Sequence, residues 1–144
     1  MSFLVKIFGG QPAPIELDVS ALLLMPAIIR IGIAGKDPHQ DLEALTHVAA
    51  KSPLMDGLAP EDIMSKALVL SKTIHQTGLA AAMGKLQANL SAQQRMEAMQ
   101  LAVASTCAST LLDTKDIGIL AAMSEKLGMQ SAEFDQLFEQ PRLS

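Results

Sequence analysis

The stretch VSALLLMPAIIRIGIA, Val19 to Ala34, decides the fold. It is the longest apolar run in the chain. A membrane-spanning helix needs about 20 consecutive apolar residues. This run is shorter and is interrupted by Ser20, Pro26 and Arg30. It therefore reads as a buried helix pair, with Asp18 as N-cap, rather than a span. Pro26 either kinks one helix or starts a second.

Working outward, the pattern stays helical. The run ends at Gly35-Lys36, and Asp37-Pro38 reads as an N-cap with proline in the first helical position, where a missing N–H costs little. Leu42, Leu45, Val48 and Ala49 follow on one helical face, up to Lys51-Ser52 ahead of Pro53. Asp56-Gly57 marks a turn. Pro60 opens a helix with Glu61 and Asp62 in its first turn and a stripe of Ile63, Ala67, Leu70 and Ile74. Gly78 breaks it, and residues 79–90 form the next. Ser91 with Gln94 is a capping-box pattern for a helix carrying Met96, Met99, Leu101, Val103 and Ala104. Asp113 with Asp116 begins another, with Ile117, Leu120, Ala121 and Leu127 inward and Gly128 as its stop. Ser131 is expected to cap a last helix with Phe134 and Leu137 inward, and Pro141 closes it. No segment reads as a strand. The expectation is an all-α fold, one compact bundle of about seven to eight helices.

Composition agrees. The chain has 144 residues, 49% hydrophobic and 3% aromatic, with no Trp or Tyr. Ala, Leu and Met favour helices, whereas strands favour aromatic and β-branched residues. A chain of this length buries a core without disulfides or a structural metal. The formal charge of −4 and the scattered basic residues argue against nucleic acid as a partner. A lone Cys107 fits a reducing, cytoplasmic setting. Residues 1–14 read as an apolar arm (Phe3, Leu4, Val5, Ile7, Phe8) and linker, 15–140 as the helical domain, and 141–144 as a tail. With only Lys6 in the arm and no glycine for myristoylation, any membrane contact is at most peripheral, and docking on protein is favoured.

The two halves echo each other. A shift of 72 residues, half the length, sets Asp41 on Asp113, Leu45 on Ile117, Val48 on Leu120, Ser52 on Ser124 and Glu61 on Glu133. Each half runs apolar helix, turn, amphipathic helix, turn, acidic helix start, so the bundle is expected to hold two pseudo-symmetric helical repeats.

Ala102 to Thr110, then Asp113, Asp116, Glu125-Lys126-Leu127-Gly128-Met129 and Ser131-Ala132-Glu133-Phe134, resemble the C-terminal half of the tellurite-resistance TerB-like family. Ile31-Gly32-Ile33-Ala34, Gly35-Lys36-Asp37, Asp41, Glu43 and Leu45 resemble its N-terminal repeat. The resemblance covers roughly residues 20–138. It implies a TerB-like helical module tied to a stress (tellurite or metal) response, with acidic turns for divalent cations. The departures lie in those turns. The family's two Asp-Gly positions read Lys36-Asp37 and Ser109-Thr110 here, and the downstream acids read Asp41 or Glu43 and Asp116. A lysine repels a cation, and hydroxyls replace carboxylates poorly, so the scaffold is kept while the metal chemistry is degraded.

Candidate site residues are therefore acidic. Asp37, Asp41 and Glu43 form one group, and Asp113 and Asp116 another. As metal ligands they would suit Ca²⁺ or Mg²⁺, which take several oxygen donors. As helix starts they are expected caps and dipole partners. His39, His47 and His75 lack metal-ligand spacing. Cys107 has no announced base and reads as a small buried hydrophobe. The methionines, Met64, Met96 and Met99 among them, read as core filler. No phosphate loop, metalloprotease pair or nucleophile elbow is present. The expected function is a non-enzymatic module that binds a partner protein or a second copy of itself and needs no resident cofactor. The alternatives are a divalent-cation-binding regulator using the acidic helix starts, and an enzyme with an unrecognised site.

Overall fold

The apolar run folds as one helix, α1 (Val19–Ala34), buried without a break from Ala21 to Ile31. Pro26 lies inside it. Proline removes one backbone donor and crowds the preceding turn, yet the helix continues, because neighbours hold it on every side. It packs against α2 (Pro38–Lys51), α3 (Pro60–Thr77), α4 (Leu79–Asn89), α5 (Ala92–Ser109) and α6 (Thr114–Lys126). A helix that is apolar all round belongs in such a position. The last helix is α7 (Ser131–Glu139), and a single 3₁₀ turn, Pro53–Met55, follows α2. The computed structural model describes residues 18–55, 57–110 and 112–139, and no strand occurs among them. The N-terminal arm, Asp56, Pro141 and the tail lie outside the described residues. Among those described, no helix is long and apolar enough to cross a membrane.

The helix ends follow local chemistry. Asp18 accepts from the Ala21 N–H at 2.9 Å, and Asp37 from the Gln40 N–H at 3.3 Å. Ser91/Gln94 and Asp113/Asp116 both form reciprocal capping boxes. At Gly128 the backbone turns left-handed, φ 81°. Its N–H donates to Glu125 O, and that of Met129 donates to Ser124 O, which closes α6 with two backbone bonds. Ser131 is the first residue of α7 rather than its cap. The Gln130 N–H donates to the Glu133 carboxylate instead. Arg95 ties the second half together by donating to Leu90 O and Leu127 O.

The packing is two-fold in pattern. α1 and α5 form the most extensive pair. Exchanging α1, α2 and α3 for α5, α6 and α7 maps each main contact onto another: α1–α2 onto α5–α6, α1–α3 onto α5–α7, α2–α3 onto α6–α7, and α2–α5 onto α6–α1. The register, however, is 75 residues at the second helix of each half. Asp41, Leu45, Val48, Ala49 and Ser52 are buried, and so are Asp116, Leu120, Met123, Ser124 and Leu127. The 72-residue register would pair Leu45, fully buried, with Ile117, which is 42% exposed. The inward face of α6 is thus Asp116, Leu120, Met123 and Ser124, with Ile117 turned outward.

Met99 is fully buried and Met96 packs partly against the core, as do Ile74 and Phe134. Met64 is half-buried beside the Thr46 hydroxyl.

Candidate functional site

Arg30 is the one charged residue of α1, and it sits near that helix's C-terminal end with only 1% of its surface exposed. Burying a guanidinium is costly unless it is paired. Its partners come from the two halves. Nη1 donates to Asp116 Oδ1 at 3.4 Å, and Nη2 lies 3.6 Å from Asp41 Oδ1. Both carboxylates are buried, at 4% exposure for Asp41 and 3% for Asp116. They occupy equivalent places, in the first turn of α2 and of α6. One arginine is therefore shared by two pseudo-equivalent aspartates.

One guanidinium faces two carboxylates, and the first turns of α2 and α6 add partial positive charge beside them.

Local sequence builds this geometry. α1 stops at Gly35, whose N–H still bonds Ile31 O at 2.9 Å. A side chain at 35 would set its Cβ 2.5 Å from both Asp41 Oδ2 and Ile31 O, so glycine is needed for the close approach. Asp37 and Pro38 then restart the chain as α2 and bring Asp41 inward. From the other half, the Ser109 hydroxyl donates to Asp41 Oδ1. Gln40 Nε2 donates to Ser109 O at 3.4 Å, and Lys36 pairs with Asp113 at 3.4 Å. The turns around 36–43 and 109–116 thus converge on one surface. Between them is a crevice of about 130 Å³, whose wall includes Arg30, Ala34, Lys36, Asp41, Ser109 and Asp116.

The candidate residues divide accordingly. Asp41 and Asp116 meet at Arg30. Asp113 caps α6 and faces Lys36. The Asp116 backbone N–H, opposed by desolvation and helped by the Asp116 side chain and Lys36, holds the Asp113 carboxyl below the ordinary value of 3.8. Asp37 caps α2 at the crevice wall. Glu43 is not on that wall and pairs at 3.4 Å with His39 on the exposed side of α2. His47 and His75 are exposed, and Cys107 is half-buried. Among the described residues, no group of three or more His, Cys, Asp or Glu side chains is gathered as a cation would require.

Arg30 is the functional residue that sequence reasoning left out of the site. The available signal was a lone charge inside an otherwise apolar helix, which implies a buried partner. Comparison with protein-family models, curated proteins and solved structures finds no match to this chain.

Proposed function

We propose that this chain is a non-enzymatic, TerB-like helical module that docks a partner protein, in the setting of a stress response. The observation that carries the reading is the commitment of its clustered acids. Asp41 and Asp116 are engaged by a buried guanidinium, and Asp113 by a cap and Lys36. Groups so committed are poorly placed to work as a general acid, a general base or a cation cage. By contrast, Leu68 and Val69 stand side by side on α3 at 49% and 45% exposure. Consecutive exposed aliphatic residues on a helix offer apolar surface that a protein contact would bury. The stress setting comes from the resemblance of residues 20–138 to the TerB-like family.

The test is affinity capture with the full chain, followed by calorimetry on the purified partner. Leu68→Glu with Val69→Glu should abolish binding while the far-UV spectrum and the melting temperature stay as in the parent. Undiminished binding by the double variant would remove the α3 face from the proposal.

A second reading, a divalent-cation regulator, is favoured by one specific observation. Asp41 Oδ2 is buried without a hydrogen-bond partner. Saturable Ca²⁺ or Mg²⁺ binding that disappears in Asp41→Asn would establish it. The adjacent guanidinium, held 3.6 Å from the same carboxylate, opposes it by direct repulsion of a second cation.

A further inference from the structure

The described fold begins at a pinned point. Residues 1–17 lie outside it, and Asp18 is its first residue. The Asp18 carboxylate caps α1 and is held on α3 by the Lys66 ammonium at 3.1 Å. The preceding chain therefore joins the bundle beside Lys66. Exposed aliphatic side chains gather at the same place. Val19, next to Asp18, is 49% exposed, as is Leu68, and Val69 is 45% exposed. They are three of the six large apolar residues that stand exposed among the described ones.

Helix geometry orders these positions. Val69, three residues after Lys66, is its neighbour on the surface of α3. Leu68 lies about 100° further round, away from the buried stripe of Ile63, Ala67 and Leu70. A segment that doubles back from Asp18 past Lys66 meets Val69 first and Leu68 next.

The chain itself carries a matching occupant. Phe3, Leu4, Val5, Ile7 and Phe8 are five apolar side chains within six residues, and apolar surface leaves water favourably by meeting apolar surface. Ten residue steps separate Phe8 from Asp18, a reach of up to roughly 33 Å. α3 has 18 residues and is about 27 Å long, so its whole outer face is within range. Ile33, also exposed, lies at the far end of α1, about 21 Å along that helix from Val19. A short tether gives the nearer patch the higher effective concentration of the arm, and favours it over the same patch on a second copy.

We infer that residues 3–8 dock on the chain's own α3, across Val69 and Leu68 and against Val19. The inference rests on the reading of this face as a docking surface and adds its regulation. The arm covers the face, and a partner gains it by displacing the arm.

The test is NMR on the full, unaltered chain with ¹³C-labelled methyl groups. The rings of Phe3 and Phe8 should give nuclear Overhauser effects to the methyls of Val69, Leu68 and Val19. In Leu68→Glu with Val69→Glu, the effects that remain possible, to Val19, should weaken at least tenfold. Their absence in the parent, their direction to another face, their persistence in the double variant, or their appearance only between differently labelled copies mixed in one sample would each overturn the inference. The readout needs no partner. An undocked arm, with partner capture still lost in the double variant, would overturn the inference and leave the docking reading standing. A docked arm with undiminished capture would support the inference and remove that reading.

Discussion

Replacing Arg30 by methionine removes the guanidinium while keeping an unbranched side chain of similar reach. In the parent, Nη1 and Nη2 lie 3.4 and 3.6 Å from two carboxylates that are almost wholly buried. The variant leaves both acids facing each other without a cation. Breaking a buried pair by removing one partner costs about 3–5 kcal/mol, mostly because the remaining charge stays buried and uncompensated. Against a typical total stability of about 5–15 kcal/mol that is a large share. The melting temperature should fall by roughly 10–15 °C for a domain of this size. The chain has no Trp or Tyr, so urea unfolding is best followed by far-UV circular dichroism, with the midpoint falling at unchanged slope. The triple variant Arg30→Met, Asp41→Leu, Asp116→Leu should regain most of the loss, since an apolar replacement of a whole buried ionic cluster is often neutral or stabilising. A loss under about 1 kcal/mol for Arg30→Met, or a triple variant no better than the single one, would refute the claim that the three side chains act as one unit.

Other outcomes follow from the same structure. Gly35→Ala forces its Cβ against Asp41 Oδ2 and Ile31 O. It should destabilise the fold by about 1–3 kcal/mol in urea titration, whereas Gly84→Ala, where a Cβ meets nothing, should be neutral or stabilising. The backbone N–H of Ala21 holds the Asp18 carboxyl below its ordinary value of 3.8, aided by Ser20 and Lys66 against desolvation. A lowered folded-state value means the contribution is present above 3.8 and fades as the pH falls below that value. The stability difference between the parent and Asp18→Asn should therefore shrink as the pH drops from 5 to below 3.8. A difference that grows with acid would contradict the capping role.

Much of the fold was legible because its signals are local. Asp18, Asp37, Ser91 with Gln94, and Asp113 with Asp116 name helix starts within three residues of the bond each one makes. Gly78 and Gly128 name stops through the backbone conformations they allow. The last helix start was displaced by one residue, because Glu133 reaches back to the Gln130 N–H and leaves Ser131 inside the helix. The register between the halves was not legible by residue type. Asp113 and Asp116 are both acidic and both near a helix start, and only burial distinguishes the cap from the residue that faces Arg30. For the same reason the sequence did not sort the candidate acids: Asp41 and Asp116 meet at Arg30, whereas Glu43 lies off the crevice wall. The Arg30–Asp116 pair spans 86 residues, and no local pattern announces a contact at that distance.

The most direct test of the account is a calorimetric titration of the intact chain with Ca²⁺ and with Mg²⁺. If Arg30 already fills the role of the cation for Asp41 and Asp116, neither ion should give a saturable heat or raise the melting temperature. Micromolar binding of either ion, lost in Asp41→Asn or Asp116→Asn, would contradict it and make the acidic helix starts a metal site.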